Sequence, residues 1–93
     1  MKVLEDSQKN LYVYIYTDDH EPAHVHVFLG RKSNYNEGEA KINIGNDEKP
    51  PSFVNVYNMN NKVATQALFL VAENQEILLK KWKEIHGGKI VEP

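Results

Sequence analysis

Alternation of apolar and polar side chains with a period of two dominates the first half of the chain, which is typical of strands that bury one face. Residues 11–17, 24–30 and 39–45 show this pattern, and residues 53–57 form a shorter fourth segment rich in β-branched and aromatic side chains. The polar segments 31–38 and 45–52 contain turn residues, so we interpret them as loops. The pattern therefore predicts a small antiparallel sheet of three to four strands.

From about Asn61 onward, the apolar side chains recur every three and four residues. The members of this stripe are Ala64, Ala67, Leu68, Val71, Leu78, Trp82 and Ile85. The spacing predicts one amphipathic helix of about 25 residues. Asn60 or Asn61 is its expected N-cap, and Gly87-Gly88 is its expected end. Together the patterns predict an α+β fold in a single domain of residues 1–93, with the long C-terminal helix packed on one face of the sheet.

The register of the strands decides which side chains the helix leaves uncovered. If the alternate apolar residues, such as Val25 and Ile42, face the helix, then His24, His26 and Lys41 project from the opposite face. In a domain of two layers, that opposite face is open to solvent or to a partner.

Composition and charge narrow the functional classes. The absence of Cys excludes disulfides, thiol nucleophiles, iron–sulfur clusters and Cys-ligated zinc. A net charge of −2 argues against a non-specific nucleic-acid binder, which needs a large basic surplus. The longest apolar run, residues 67–72, is far shorter than a membrane span, and the first residues do not resemble a signal peptide. We therefore expect a cytoplasmic protein that does not interact with membranes.

A cluster of ionisable side chains between the first two predicted strands is the candidate functional site. Residues 18–26 contain three of the four histidines and three carboxylates. Side chains two apart on a strand share a face, so His24 and His26 should lie about 6–7 Å apart, which suits two ligands of one metal. Asp19 or His20, on the preceding loop, is positioned to supply a third ligand. Such a set fits Zn²⁺, Fe²⁺ or Mn²⁺ with open coordination positions.

Three interpretations of this cluster stay open. The first is a divalent metal site formed by Asp19, His20, His24 and His26. The second is a metal-free acid–base site in which one imidazole is the general base and a second, protonated imidazole is the general acid. Lys41 is the candidate cation for a phosphate group on the same face. The third is a structural or partner-binding role, because imidazoles are readily accommodated on an exposed sheet face.

Other aromatic and imidazole side chains are less indicative of a site. Tyr12, Tyr14 and Tyr16 form a stripe on the first predicted strand, which is typical of packing and also suits a stacking platform. Trp82 lies at the spacing of the apolar stripe, so we expect it in the core. His86 is expected to act as a cation at the C-terminal end of the helix rather than in the site.

Two segments resemble a known family. Residues 19–27, Asp-His-Glu-Pro-Ala-His-Val-His-Val, resemble the signature Asp/Glu-His-x-Pro-Pro/Ile-His-x-His-Val of the small prokaryotic family "domain of unknown function 4160". Residues 72–82 are similar to the C-terminal helix of that family, which carries Glu-Asn-x-Glu-Ile and a Trp near its end. The resemblance covers most of residues 11–86. The sequence departs from the commoner pattern at Ala23 and in its longer insert around residues 31–38, and neither departure removes a histidine.

The resemblance implies a component of a two-protein unit of the toxin–antitoxin kind, because members of the family are often encoded beside a second small protein. We therefore expect an interaction component with a small partner protein. The alternative is a small hydrolase or ribonuclease-like toxin that acts on RNA through His20, His24 and His26, with or without a divalent metal such as Zn²⁺. A homodimer formed by pairing of exposed sheet edges is compatible with both.

Overall fold

A five-stranded antiparallel sheet is the central element of the computed structural model, which describes residues 1–30 and 38–86. The strands are β1 (Lys2–Asp6), β2 (Leu11–Tyr14), β3 (His24–Leu29), β4 (Glu39–Asn43) and β5 (Ser52–Tyr57), followed by the helices α1 (Asn61–Glu73) and α2 (Gln75–His86). Each strand pairs with its neighbour in sequence, in the order β1-β2-β3-β4-β5. The predicted α+β class and antiparallel sheet are confirmed.

The number of strands was predicted too low, because β1 was missed. In β1 only Val3 and Leu4 are apolar, and charged residues flank them, so the strand lacks a period-two pattern. Pairing with β2 and a hydrogen bond from the amino group of Met1 to the carbonyl oxygen of Ile15, at 2.9 Å, hold β1 in place. The fourth predicted strand is confirmed as β5.

The prediction of one long helix is wrong, because the helical segment breaks at Asn74. The side-chain amide of Asn74 donates to the carbonyl oxygen of Leu70 at 2.9 Å, and its backbone N–H donates to that of Val71 at 3.1 Å. Such local hydrogen bonds compete with continuation of the helix. The side chain of Gln75 then donates to the carbonyl oxygen of Ile44 at 2.9 Å, which ties the start of α2 to the end of β4.

The predicted beginning of the helical segment is confirmed. The side-chain oxygen of Asn60 accepts a hydrogen bond from the backbone N–H of Val63 at 2.8 Å, which makes Asn60 the N-cap of α1. The predicted end at Gly87-Gly88 and most of the predicted loop 31–38 lie outside the described residues. Neither α1 nor α2 has the length and apolar character needed to cross a lipid bilayer.

The core lies between the two helices and one face of the sheet. Its fully buried members include Leu11, Val13, Ile15, Val25, Val27, Ala40, Ile42 and Ile44 from the sheet, and Ala67, Val71 and Leu78 from the helices. The register places Val25 opposite Ile42 and Val13 opposite Val27, so the predicted inner faces of these strands are confirmed. Each large aliphatic side chain in this core stabilises the fold by about 1.5–3 kcal/mol.

Candidate metal centre

Three side chains converge beside the N-terminal end of β3. Asp19, His24 and His26 each place one nitrogen or oxygen atom within 4.8 Å of the others. The Nε2 atom of His24 lies 3.5 Å from Oδ1 of Asp19, and the Nε2 atom of His26 lies 3.4 Å from Oδ2. The side chains are only 6%, 15% and 13% exposed for His24, His26 and Asp19, so the cluster is shielded from most of the solvent.

Local backbone structure directs these side chains to one another. His24 and His26 are two residues apart on β3, so their rings share a face, and the ring centroids are 5.3 Å apart. After β2 the chain turns, and the backbone N–H of Asp19 donates to the carbonyl oxygen of Tyr16 at 3.1 Å. The carboxylate of Asp19 accepts a hydrogen bond from the backbone N–H of Tyr16 at 3.0 Å, which holds it over β3.

The second nitrogen of each imidazole is already engaged. Nδ1 of His24 donates to the carbonyl oxygen of Pro22 at 2.9 Å, and Nδ1 of His26 donates to the carboxylate of Glu39 at 2.9 Å. A neutral imidazole that donates from Nδ1 carries its lone pair on Nε2. In the neutral rings, both lone pairs are therefore directed at the carboxylate of Asp19.

This arrangement is typical of metal-binding histidines, in which a carbonyl or carboxylate orients the ring through its other nitrogen. In a tetrahedral site with bonds of about 2.0–2.1 Å, the ligand atoms lie about 3.3–3.4 Å apart. Oδ1 of Asp19 lies 3.5 Å from Nε2 of His24 and 3.4 Å from Nε2 of His26, so the separations between one oxygen and both nitrogens match this geometry. They are longer than the roughly 2.7–2.9 Å of a strong hydrogen bond between a charged nitrogen donor and a carboxylate.

Asp19 is an anion at neutral pH. Burial tends to raise its pKa, but the hydrogen bond from the backbone N–H of Tyr16 and the proximity of His26 and His24 outweigh this, so the pKa lies below its usual value. A carboxylate that stays ionised next to two imidazoles provides the negative charge that a divalent cation requires.

The sequence profile of the family described as "Domain of unknown function (DUF4160)" matches residues 10–83. The chain belongs to the DUF4160 family. The matched segment contains Asp19, His24, His26 and Glu39, whereas β1 and His86 lie outside it. No curated protein and no solved structure matches the chain.

The remaining predicted site residues of the DUF4160 chain line a cavity next to the three converging side chains. This cavity, of about 350 Å³, is lined by Asp19 and His24 together with His20, Lys41 and Asn43. His20 is exposed and is not one of the three residues whose donor atoms converge. It is therefore placed to contact a molecule in the cavity rather than to share the ligand set.

The expectation that His24 faces solvent is wrong. The residue is only 5% exposed, because α2 brings Trp82 against it with ring centroids 5.3 Å apart. Trp82 is buried as predicted, and its Nε1 atom donates to the carboxylate of Glu21 at 3.1 Å.

The ring of His86 lies against that of Trp82, with ring centroids 3.9 Å apart. The Nδ1 and Nε2 atoms of His86 lie 3.0 Å from the carbonyl oxygens of Trp82 and Tyr16, respectively. His86 therefore contacts a residue that packs on the cluster.

Glu39 was missed as a member of the site. His26 lies opposite Lys41 in the β3–β4 pair, and Glu39 is two residues before Lys41, so Glu39 is its diagonal neighbour on the same face. The period-two alternation places Glu39 and Lys41 on the face opposite Ala40. Pairing β3 with β4 in the observed register would therefore have predicted that Glu39 lies close to His26. The contact between Glu21 and Trp82 has no such signal, because it joins residues 61 positions apart through the packing of α2.

Proposed function

We propose that this DUF4160 domain binds a divalent metal through Asp19, His24 and His26 and hydrolyses a phosphate ester at that centre. The observation that supports the proposal is the direction of the two imidazoles. Both Nε2 atoms are aimed at one carboxylate while both Nδ1 atoms donate to other acceptors. Two imidazoles and one carboxylate form the ligand set of hydrolytic zinc sites, which leaves a position for water.

The residues around the cavity would assist the reaction in distinct ways. A divalent metal held by Asp19, His24 and His26 would lower the pKa of a water molecule at the site to about 7. The water oxygen forms a bond to phosphorus, and the bond to the leaving oxygen breaks. His20 accepts the proton of the water and returns a proton to the leaving oxygen. Lys41 stabilises the negative charge on the other phosphate oxygens, because it lines the same cavity without an ion pair among the described residues.

Zn²⁺ titration followed by calorimetry tests the ligand set. We expect one ion per chain, and we expect Asp19→Asn to weaken binding strongly, because it removes the negative charge and changes few atoms. His24→Ala should abolish binding. The matched control is His20→Ala, which should bind Zn²⁺ as the wild type does. Equal affinity in Asp19→Asn and wild type would overturn the proposed ligand set.

Hydrolysis of an activated phosphodiester, bis(p-nitrophenyl) phosphate, tests the reaction. Zn²⁺-loaded wild-type protein should release p-nitrophenol, while His20→Ala and Lys41→Gln should keep the metal and lose most of the rate. Product release that is unchanged by addition and removal of Zn²⁺ would support the metal-free acid–base alternative instead. Metal binding without any hydrolysis would overturn the hydrolytic role and leave the metal site standing.

A second candidate function, binding of a small partner protein, is favoured by the exposed edge of the sheet. All six residues of β5 are exposed, including Tyr57 at 63%, and none of them is charged. The opposite edge, β1, carries charged side chains such as Lys2 and Glu5, which form an ion pair and discourage strand addition. We propose that an extended segment of a separate small protein pairs with β5.

An irregularity in β5 favours a separate protein over a second copy of the chain. Lys41 and Ile42 of β4 face Asn55 and Phe53, so Val54 is an extra residue in the ladder. A two-fold symmetric pair of β5 strands would place both irregularities next to each other at its centre. A strand from a different protein need not carry such an irregularity, so it can pair with β5 without placing two of them side by side.

Co-purification with the product of the adjacent gene tests this second function. We expect the pair to form with the wild type and to be lost in Tyr57→Lys, which adds a charge to the β5 edge. Phe69→Lys, which adds the same charge to a similarly exposed aromatic position on α1, should keep the pair. Retention of the partner by Tyr57→Lys would contradict the proposal. Self-association that Tyr57→Lys abolishes would show that a second copy is the occupant.

A further inference from the structure

A second cavity continues from the candidate metal centre. It has a volume of about 540 Å³ and shares Glu21, Pro22 and Asn43 with the cavity beside Asp19 and His24. Its other lining residues include Gly45, Asn46, Lys49, Ser52 and Lys83. The two cavities therefore lie side by side with a common wall, and together, here called the groove, they are lined by residues from the ends of β4 and β5 and from α2.

Among the described residues, lysines that form no ion pair concentrate along this groove. The described lysines that form no ion pair with a described residue are Lys41, Lys49, Lys62, Lys80 and Lys83. Lys41 lines the first cavity, Lys49 and Lys83 line the second, and only Lys62 lines none of the described cavities. The second cavity is lined by two lysines, Lys49 and Lys83, and by one carboxylate, Glu21, whose Oε2 atom accepts a hydrogen bond from Nε1 of Trp82.

The wall that carries Lys49 is held by the turn between β4 and β5. Gly45 has a φ of +77°, and a Cβ atom there would collide with the carbonyl oxygen of Lys49. Asn46 and Lys49 exchange backbone hydrogen bonds of 2.9 and 3.2 Å. The side chain of Gln75 donates to the carbonyl oxygens of Ile44 and Lys49 at 2.9 and 3.2 Å, which attaches the turn to α2. The backbone at Lys49 is therefore fixed relative to the helix that carries Lys83.

Negative charge limits how far an anion can extend along the groove. Beyond Lys83 a third cavity, of about 580 Å³, is lined by Asp47, Glu48 and Glu76 as well as by Lys80. These three carboxylates outnumber the two lysines there, Lys80 and Lys83, and no proposed metal offsets them as it would offset the carboxylates of the first cavity. The end of the groove is therefore unfavourable for an anion. The second cavity is the part in which lysines outnumber carboxylates.

We infer that the second cavity, between Lys49 and Lys83, holds a phosphoryl group of a substrate whose reacting phosphate ester lies at the metal centre. This inference rests on the proposed hydrolytic function. It specifies the substrate class as a molecule with two phosphate groups in adjacent positions, such as a short single-stranded nucleic acid. Lysine ammonium groups and the amides of Asn43 and Asn46 are the donors for the second phosphate.

Titration with inorganic phosphate, followed by the backbone amide resonances of Gly45, Asn46 and Ser52, tests the inference. We expect saturable shifts at these amides in metal-free and in Zn²⁺-loaded protein. The double variant Lys49→Gln/Lys83→Gln should bind phosphate about tenfold more weakly or worse. The matched control is Lys62→Gln, which also neutralises a lysine without an ion pair in the described part of the chain and should bind as the wild type does. Equal affinity in the double variant, or no shift at the three amides, would overturn the inference.

A pair of dinucleotides distinguishes a substrate phosphate from free phosphate. A dinucleotide with a terminal 5′-phosphate should bind about tenfold more tightly than one without it, and the double variant should lose this advantage. Binding of inorganic phosphate without any advantage for the phosphorylated dinucleotide would overturn the role in substrate binding.

The titrations with Zn²⁺ and with phosphate test the metal site and the phosphate cavity independently of each other. Zn²⁺ affinity should be the same in the double variant and in the wild type, because neither lysine is among the proposed metal ligands. If Zn²⁺ binds and phosphate leaves the three amides unchanged, the cavity has no phosphate site and the metal centre stands. If phosphate shifts the amides and Zn²⁺ does not bind, the proposed function is wrong, and so is the placement of a reacting ester beside the cavity.

Discussion

The carboxylate of Glu39 accepts a hydrogen bond of 2.9 Å from Nδ1 of His26. This contact joins β4 to β3 on the face opposite the core and fixes which nitrogen of His26 carries the lone pair. It does not involve a proposed metal ligand atom, so its effect on metal binding acts through the orientation and basicity of the ring.

Glu39→Gln should therefore weaken Zn²⁺ binding without removing a ligand. A hydrogen-bond partner of this kind changes metal affinity by about 10- to 100-fold. Calorimetric titration measures the change, and Glu73→Gln, which neutralises an exposed carboxylate at the end of α1, is the matched control. Identical affinities for Glu39→Gln and Glu73→Gln would mean that Glu39 does not support the centre.

Trp82 should report on the occupancy of the centre. It is the only Trp in the sequence, and its ring lies 5.3 Å from that of His24. Zn²⁺ binding at His24 changes the electrostatic environment of the indole, so we expect a saturable change in fluorescence with the affinity found by calorimetry. His24→Ala should abolish the change, and His20→Ala should retain it. A fluorescence change of equal size in His24→Ala would contradict the proposed position of the metal.

Much of this arrangement follows from the sequence. The period-two alternation of β3 and β4 correctly predicts that Val25 and Ile42 face the core and that His24, His26 and Lys41 share the other face. The spacing of the two histidines correctly predicts that their rings lie close together. These features depend on local backbone geometry, which sequence periodicity reports directly.

The features that the sequence did not predict depend on contacts between distant segments. At the break, the polar residues Asn74 and Gln75 leave a gap in the apolar stripe between Val71 and Leu78, but such a gap also occurs in continuous helices. The hydrogen bond from Gln75 to the end of β4 joins distant segments, and no spacing along the helix indicates it. The burial of His24 requires Trp82 from α2, and the spacing along either segment does not indicate this contact. The edge strand β1 has too few apolar residues for a pattern, and its pairing with β2 determines its structure.

Asp19 should make stability depend on pH in a defined direction. Its pKa in the folded protein lies below the usual value of an aspartate, so its contribution to stability is present above that usual value and is lost as the pH falls through the lower pKa of the folded state. We expect the difference in the free energy of unfolding between wild type and Asp19→Asn to be larger at pH 6 than at pH 2. Urea unfolding at several pH values measures it. A difference that grows as the pH falls would contradict the role of Asp19 as a stabilised carboxylate.

The N-cap of α1 should contribute to stability independently of the site. Asn60→Ala removes the acceptor for the backbone N–H of Val63 and should lower the free energy of unfolding by about 1 kcal/mol. Asn61→Ala, one residue later and inside the helix, is the matched control and should have little effect. Urea unfolding of both variants makes the comparison, and equal losses would show that Asn60 is not the cap.

Long-range ¹H–¹⁵N NMR of the imidazole nitrogens during Zn²⁺ titration tests the central claim most directly, because it observes the proposed ligand atoms themselves. We predict that the Nε2 resonances of His24 and His26 shift together and saturate at one ion per chain, while both Nδ1 atoms keep their protons. His20 and His86 should show no metal coordination. Coordination through Nδ1, or the absence of a saturable response at His24 and His26, would contradict the account.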